Sequence, residues 1–255
     1  MPWLGLGVWQ IPPSRTVAAV TEAFRIGYRH VDTAAIYGNE REVGMAVRES
    51  GLSREEIFVT TKVPSGVLRH TRKAFEESLE RLGLEYVDLY LIHYPGAGRA
   101  AAWDTLVDLQ KEGRAKAIGV SNYTVRHLKE LMAASKTVPA VNQVEFSPFL
   151  YQRELLEFCR SKGIQLEAYS PLARGLKLRD RTLTAVAAKQ RRTAAQVMLR
   201  WAVQRECVVI PKSARPERME ENASLFEFSL TEDEMRRLDS LDEGFRTCWD
   251  PSDEP

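Results

Sequence analysis

Four side chains that can exchange protons stand near the ends of short apolar stretches in the N-terminal part of the chain. Asp32, Lys62 and His93 each end such a stretch, and Tyr37 lies five residues beyond Asp32. A carboxylate, an ammonium, an imidazole and a phenol are groups that general acid–base catalysis uses. Each also has an ordinary explanation, since helix caps, solvated lysines, buried histidines and half-buried tyrosines are common. Chemistry becomes the better interpretation only if the fold brings all four together.

The apolar stretches are typical of β-strands, and longer amphipathic segments alternate with them. The segment RKAFEESLERLGL is one of these helical patterns, with Phe75, Leu79 and Leu82 on one face and charges on the other. Gly83 follows where a glycine commonly ends a helix. The eight strand candidates are LGLGVW near Gly5, RHVDTA near Val31, IFVTTKV near Val59, VDLYLIH near Leu89, AKAIGVS near Ile118, AVNQVEF near Val144, IQLEAYS near Leu166 and CVVIPKS near Val209.

Eight strands, each followed by a helix, fit either a closed barrel or a doubly wound open sheet. The count of eight and the length of 255 residues favour a (β/α)8 TIM barrel. No linker or low-complexity segment divides the chain, so residues 1–255 are expected to form one domain. Gly5-Leu6-Gly7 begins like a dinucleotide fingerprint, but the third glycine is missing at the required spacing. A Rossmann fold is therefore a weak interpretation.

The C-terminal part predicts accessory helices. The segment RTLTAVAAKQRRTAAQVMLRWAVQ predicts two helices before the last strand. The segment SLTEDEMRRLDSL predicts a late helix capped by Ser229 or Thr231. We expect the final segment, RTCWDPSDEP, to form a short loose tail.

Polar groups end nearly every predicted strand, and catalytic residues of such barrels collect at the carboxyl ends of the strands. These groups are Asp32, Lys62, His93, Ser121 with Asn122, Gln143 with Glu145, Tyr169 with Ser170, and Lys212 with Ser213. If each residue had only a structural role, an acid, an amine, an imidazole and a phenol would have to meet at one barrel mouth by coincidence. We therefore favour an active site there.

Composition argues against several other kinds of function. Thirty-six basic and thirty-five acidic side chains leave a formal net charge of +1, so no field of one sign is expected to recruit nucleic acid or anionic lipid. Cys159, Cys207 and Cys248 lack CxxC or Cys/His spacing, which argues against a disulfide framework and a metal site. We see no signal peptide, and no apolar run approaches the roughly 18 residues of a membrane span. A cytoplasmic monomer is expected.

Segments spread over almost the whole chain resemble the aldo-keto reductase family, in the family's order and close to its spacing. They are LGLGVWQ, RHVDTAAIYGNEREVG, VTTKVP, YLIHYP, AIGVSNY, NQVEFSP, YSPL and IPKSARPERMEENASLFEF. The resemblance implies a barrel enzyme that reduces aldehydes or ketones to alcohols by hydride transfer from NADPH. The family's catalytic aspartate, tyrosine, lysine and histidine fall on Asp32, Tyr37, Lys62 and His93.

The resemblance gives each of these four residues a role. Tyr37 would protonate the carbonyl oxygen while the cofactor supplies the hydride. Lys62 is expected to lower the pKa of Tyr37, because an ammonium favours the phenolate. Asp32 would keep Lys62 charged and in place. His93 would hold the carbonyl oxygen, where one hydrogen-bond donor can contribute about 3 kcal/mol.

The resemblance also implies a binding site for NADP(H). Gly7, Trp9 and Asp32 are among its implied residues, Ser121, Asn122 and Gln143 would face the nicotinamide amide, and Tyr169 would stack on the ring. Ser170 and Leu172 would line the pyrophosphate. The residues at the adenosine end are Lys212, Ser213 and Arg218 for the 2′-phosphate, with Glu221 and Asn222 near the adenine. Two cations and a hydroxyl favour NADPH over NADH.

The implied substrate pocket is walled by Trp9, Tyr37, His93, Tyr94 and Trp249, which suits aldehydes with apolar bodies. Three features depart from the family pattern. The chain starts without the β-hairpin that closes the barrel floor in relatives. The loops after His93 and Tyr169 are short, and Tyr94 stands where many relatives carry tryptophan. Short loops are expected to leave an open mouth with weak substrate discrimination.

Two other functions are compatible with the sequence. A regulatory or structural subunit that binds NADPH with little turnover would present an unusually large exposed apolar patch. A lyase that uses Lys62 as a Schiff base would need a desolvated lysine without a paired carboxylate, and Asp32 argues against it. Sugars, keto acids, dicarbonyls and lipid aldehydes all fit as carbonyl substrates.

Overall fold

A computed structural model describes residues 1–254, which fold as eight parallel strands surrounded by helices. The strands are β1 (Leu6–Gly7), β2 (His30–Asp32), β3 (Phe58–Val63), β4 (Val87–Ile92), β5 (Ala115–Ser121), β6 (Val141–Glu145), β7 (Gln165–Tyr169) and β8 (Val208–Val209). They pair in chain order. Leu4 also bridges Val209, and the Gly5 N–H donates to the Val209 carbonyl at 2.9 Å, so the first and last strands meet. The predicted (β/α)8 barrel is confirmed.

Helices cover the outside of this sheet. They are α1 (Pro13–Ile26), α2 (Glu40–Arg48), α3 (Thr71–Leu82), α4 (Arg99–Lys111), α5 (Val125–Ala134), α6 (Arg153–Ser161), α7 (Arg181–Gln190), α8 (Ala194–Gln204), α9 (Pro216–Ala223) and α10 (Glu232–Asp239). The two helices predicted before the last strand are α7 and α8. Gly83 ends α3 in the left-handed conformation, with φ of 61°, as predicted. Within residues 1–254, no helix has the length and apolar character needed to cross a membrane.

The cap of α10 is Thr231 rather than Ser229. The Thr231 hydroxyl accepts a hydrogen bond from the Glu234 N–H, and the Glu234 carboxylate accepts one from the Thr231 N–H. This reciprocal pair satisfies two backbone donors that a helix start would otherwise leave without partners. Ser229 lies outside the helix, where its hydroxyl accepts from Arg200.

Apolar side chains form two separate layers on the two sides of the sheet. Because successive strand residues face opposite ways, the run VDLYLI sends Leu89 and Leu91 into the barrel and Tyr90 outward against Phe75 of α3. Leu89, Leu91 and Val141 form a small apolar cluster that excludes the outer residues. The larger core lies between the sheet and the helices. Inward positions nearer the carboxyl ends are polar instead, and these build the site.

The C-terminal segment is anchored up to residue 254, which corrects the expectation of a loose tail, and Pro255 lies outside the described residues. Glu145, at the end of β6, accepts the Thr247 N–H at 2.7 Å and the Cys248 N–H at 3.1 Å. The Tyr94 hydroxyl donates to the Trp249 carbonyl at 2.8 Å. A short helical turn, Pro251–Asp253, follows. The anchoring carboxylate lies far away in the sequence, so the local composition of the segment carries no sign of it.

Candidate active site

Lys62 lies at the centre of the predicted catalytic set and is fully buried. Its ammonium donates to Asp32 Oδ1 at 2.7 Å, to the Thr33 carbonyl at 2.8 Å and to the Tyr37 hydroxyl at 3.4 Å. Parallel pairing of β2 with β3 sets Asp32 opposite Thr60, two residues before Lys62, and both side chains point into the barrel. Tyr37 arrives on the short helical turn Ala35–Tyr37. Lys62 therefore contacts both predicted partners, Asp32 and Tyr37, across 30 and 25 positions of the sequence.

The electrostatics of this group favour an ammonium and a neutral phenol. Burial alone would lower the pKa of Lys62, but the charge and hydrogen bond of Asp32, together with Tyr37, outweigh it and raise that pKa. Burial raises the pKa of Tyr37 to about 12, although the Lys62 charge acts in the opposite direction. Lys62 therefore acts on the Tyr37 pKa in the expected direction, but desolvation of the phenolate exceeds the attraction of one ammonium, so the pKa is raised overall.

His93 follows β4 and completes the set. Its ring meets the Tyr37 ring edge-on, with 5.6 Å between centroids, and its backbone N–H donates to the Val63 carbonyl at 3.0 Å. Burial, followed by the Lys62 charge, lowers the pKa of His93 to about 3. The ring is therefore neutral at physiological pH and has one N–H to donate. Its Nδ1 has no hydrogen-bond partner among the described residues.

The residues expected at the nicotinamide amide form one hydrogen-bonded group at the ends of β5, β6 and β7. Asn122 has a positive φ of 63° and donates from Nδ2 to the His93 carbonyl at 3.0 Å. Its Oδ1 accepts the Tyr169 hydroxyl at 2.8 Å. The Ser121 hydroxyl donates to the Gln143 carbonyl at 2.8 Å. Asn122 thus joins the residues expected at the nicotinamide amide to His93.

Gln143 joins the same group to Asp32 and to a residue that the sequence analysis did not select. Its Nε2 donates to Asp32 Oδ2 and to Glu167 Oε2, at 2.7 Å each. Glu167 lies in the middle of β7 and is fully buried. The signal that marks it is a charged residue inside the strand IQLEAYS, two positions before Tyr169, on the same inward face.

The loop after β7 carries strained backbone where the pyrophosphate is expected. Ser170, Ala173 and Arg174 have φ values of 46°, 46° and 52° although none of them is glycine. Such conformations concentrate at ligand sites. Arg174, also not selected from the sequence, donates to Gln10 Oε1 at 3.4 Å and lies 5.2 Å from the Trp9 ring. The loop thereby contacts the segment after β1.

The predicted adenosine end begins after β8. Lys212 and Arg218 are exposed, and within residues 1–254 neither forms a salt bridge. The Ser213 hydroxyl accepts the Arg215 N–H at 3.1 Å, which orders the start of α9. Glu221 already accepts the Thr193 hydroxyl at 2.6 Å. Asn222 is buried and lies with Arg218 and Glu221 on α9.

Gly7 lies where β1 approaches the segment after β8, on the same side of the barrel. An added Cβ at Gly7 would come 2.8 Å from the Ile210 carbonyl oxygen, so a larger residue does not fit without a shift. The Gly7 N–H donates to the Pro211 carbonyl at 3.3 Å. Glycine at this position lets the first strand approach the last one closely.

The predicted substrate wall is only partly assembled by direct contact. Trp249 meets Tyr94 edge-on at 5.8 Å, and 77% of its surface is exposed. Trp9 is exposed and contacts Arg174, while the half-buried Tyr37 and His93 meet edge-on. The predicted aromatic residues thus form two groups. One is Trp9, which contacts Arg174, and the other is the pair of Tyr94 and Trp249.

Comparison with known proteins agrees with this geometry. Residues 3–243 match the model of the Aldo/keto reductase family. A glyoxal reductase of Bacillus subtilis (strain 168) is 46% identical, over 99% of this chain and 93% of that protein. A 9,11-endoperoxide prostaglandin H2 reductase of Trypanosoma cruzi (strain CL Brener) is 47% identical, over 98% of this chain and 91% of that protein. The crystal structure of MGS-M4, an aldo-keto reductase from a Medee basin deep-sea metagenome library, superposes with a TM-score of 0.97 at 42% identity, covering 100% of this chain and 96% of that one.

Proposed function

The chain belongs to the aldo/keto reductase family of oxidoreductases, and from this premise we propose that it reduces aldehydes or ketones to alcohols with NADPH, using Tyr37 as the proton donor. The observation that carries the proposal is the Lys62–Tyr37 contact. The ammonium donates to the phenol oxygen at 3.4 Å, so the phenol hydrogen remains for a substrate oxygen. A half-buried, neutral phenol beside a fixed ammonium is suited to protonate a developing alkoxide.

The residues present fit NADPH. Two exposed cations without carboxylate partners in the described part of the chain, Lys212 and Arg218, suit a phosphomonoester. The strained loop that starts at Ser170 suits close approach of backbone to a pyrophosphate. Gln143 donates both Nε2 hydrogens to carboxyl oxygens. Its side-chain oxygen, Oε1, is then the group that can accept from the amide of nicotinamide. NADPH, when bound, supplies the hydride.

The chain's own groups then provide the proton and the orientation of the substrate. Tyr37 and His93 are neighbours whose rings meet edge-on, and in our proposal both donate to one carbonyl oxygen. The charge of Lys62 stabilises negative charge that forms on Tyr37 as the proton leaves. Asp32, which accepts from Lys62 and Gln143 at separate oxygens, holds that lysine charged. The aromatic rim suits substrates with an apolar body.

The same contacts argue against the Schiff-base lyase. A lysine nucleophile must be a free amine with an available lone pair. Lys62 instead has an acceptor for each of its three hydrogens and is paired with a carboxylate. Borohydride in the presence of a keto acid should therefore leave Lys62 unmodified.

The direct test is oxidation of NADPH, followed by absorbance, with a panel of aldehydes, ketones and dicarbonyls and with NADH in parallel. We expect turnover with a clear preference for NADPH, and glyoxal-like dicarbonyls belong in the panel because one relative is a glyoxal reductase. If NADPH quenches tryptophan fluorescence but no carbonyl is reduced, the enzyme proposal fails and a regulatory NADPH-binding role takes its place. Equal rates with NADH would contradict the assignment of a 2′-phosphate site but would leave the proposed carbonyl reduction standing.

A further inference from the structure

Glu167 is a buried carboxyl group for which the proposed chemistry has no use. It lies in the middle of β7, opposite Gln143 of β6, and no part of it reaches solvent. Burying a carboxyl group is costly unless it is hydrogen-bonded or neutral. Glu167 has one hydrogen bond, from Gln143 to Oε2, and its Oε1 has no partner among the described residues. If this position served only the stability of the fold, an apolar residue would fill it at a lower desolvation cost.

The hydrogen bond places Glu167 in a continuous buried chain that ends at the proton donor. Gln143 Nε2 joins Glu167 to Asp32, Asp32 joins Gln143 to Lys62, and Lys62 donates to Tyr37. Two carboxyl groups on one amide nitrogen also fix the orientation of that amide. Rotation of the amide by 180° about its terminal bond would set its oxygen against the Asp32 carboxylate, which is ion-paired with Lys62, and two acceptors facing each other are unfavourable.

The remaining groups that face Glu167 come from the neighbouring strands. His30 of β2 has Nε2 at 3.6 Å from Glu167 Oε1, while the charges of Asp32 and Lys62 act from β2 and β3. On the β8 side the paired residue is the apolar Val208. Burial, and then the charges of the N-terminal amine and Lys62, lowers the pKa of His30 to about 3. His30 is therefore neutral and supplies no positive charge to a Glu167 carboxylate.

We propose that Glu167 is a positioning residue of the reductase site: in its protonated form it holds the Gln143 amide with its carbonyl toward the cofactor amide, and its ionisation disturbs the Gln143–Asp32–Lys62 chain. This inference rests on the proposed function. Ionisation would place a second negative charge beside Gln143, where it repels the Asp32 carboxylate and competes with it for the field of Lys62. The cofactor site and the proton donor would then be affected together.

The local electrostatics give the pH range of this effect. Burial, and then the charge of Asp32, raises the pKa of Glu167 to about 8, against smaller opposing effects of Gln143 and Lys62. A raised value means that the proton is held at neutral pH and lost as pH rises through that value. We therefore expect kcat/KM for carbonyl reduction, and affinity for NADP+, to fall on the alkaline side of about pH 8.

The variant Glu167→Gln tests this, because an uncharged amide reproduces the protonated carboxyl and cannot ionise. We expect near-normal kcat/KM at neutral pH and loss of the alkaline decline. Glu167→Ala removes the acceptor for one Gln143 hydrogen, and NADP+ affinity, measured by tryptophan fluorescence without substrate, should weaken about fivefold at every pH. Glu234→Gln, which replaces a buried glutamate of α10, is the matched control and should keep the alkaline decline.

The outcomes separate this inference from the function on which it rests. If the wild-type protein reduces no carbonyl, the proposed function has failed. If the wild type is active and Glu167→Gln keeps the same alkaline decline in both kcat/KM and NADP+ affinity, Glu167 has no positioning role. Unchanged NADP+ affinity in a folded Glu167→Ala variant would also overturn the inference, since thermal melting distinguishes that result from unfolding.

Discussion

At the scale of single residues, Lys62 has a demanding environment. It is completely buried, and a buried ammonium is tolerated only when its hydrogens and its charge have partners. Asp32, Thr33 and Tyr37 supply those partners. Removal of one member of a buried ion pair is usually more harmful than removal of both, because the remaining charge is left without compensation.

This predicts a specific pattern in a double-mutant cycle. Lys62→Met should lower the free energy of unfolding by about 3–5 kcal/mol because it leaves Asp32 buried without its counter-ion. The double variant Asp32→Asn, Lys62→Met should recover much of that loss while turnover stays absent. Urea unfolding and NADPH oxidation measure the two properties. A double variant no more stable than Lys62→Met would show that the two residues are not coupled as an ion pair.

The residue scale also shows where sequence interpretation ends. Asp32, Tyr37, Lys62 and His93 could be chosen because their types are chemically suggestive and their spacing resembles a family. Glu167 could not be assigned in this way. Its partner Gln143 lies on another strand, and only the register of β6 against β7 sets them opposite each other. The sign of the Tyr37 pKa change likewise depends on burial, which is a property of the folded chain.

At the scale of elements, the periodicity of apolar residues predicts where strands and helices lie, but it does not predict which elements contact each other. The apolar run of β4 is buried on both faces, so its composition predicts a strand but not which residues face inward. The first and last strands, which meet to close the barrel, are the shortest ones, with two residues each in β1 and β8. Anchoring of the C-terminal segment by Glu145 depends on a contact across 102 positions.

Contact between α2 and α3 supplies a prediction at this scale. Gly44 of α2 packs so closely on the end of α3 that an added Cβ would lie 1.8 Å from the Leu82 carbonyl oxygen. Gly44→Ala should therefore separate the two helices and destabilise the protein by about 1–3 kcal/mol or more, despite the better helix propensity of alanine.

The matched control is Gly66→Ala, since a Cβ there meets no atom within 4 Å and the φ angle is not positive. Thermal or urea unfolding of both variants makes the comparison. Equal stabilities would contradict the close packing of α2 against α3.

At the scale of the whole molecule, the barrel brings groups from nearly every strand to one mouth. The proposed catalytic residues lie in or after β2, β3 and β4, the residues expected at the nicotinamide amide lie toward the ends of β5, β6 and β7, and Lys212 and Arg218 lie after β8 and on α9. A cofactor that bridges these regions would bind only the folded chain. Its affinity therefore adds directly to the stability of the fold, by about 2.7 kcal/mol at a hundredfold excess over Kd.

We expect saturating NADPH to raise the melting temperature by several degrees, on the basis of about 2–4 °C per kcal/mol for a chain of this size. Lys212→Ala, Arg218→Ala in one chain should reduce that rise strongly for NADPH and only slightly for NADH. Arg72→Ala, Lys111→Ala removes two exposed cations from α3 and α4 as a control. Equal losses for both cofactors would show that these two residues do not read the 2′-phosphate.

The central claim is that Tyr37 donates the proton, and the substitution Tyr37→Phe tests it most directly. The ring and its edge contact with His93 remain, while the hydroxyl that accepts from Lys62 is removed. The matched control is Tyr90→Phe, which removes a buried hydroxyl without a hydrogen-bond partner on the outer side of β4.

The measurement is kcat for carbonyl reduction beside the NADPH dissociation constant from tryptophan fluorescence, for the wild type and both variants. For Tyr37→Phe we predict a loss of kcat of about 10²–10⁴-fold, with NADPH affinity nearly unchanged. Tyr90→Phe should keep wild-type turnover. Near-normal kcat in Tyr37→Phe would contradict the assignment of Tyr37 as the proton donor.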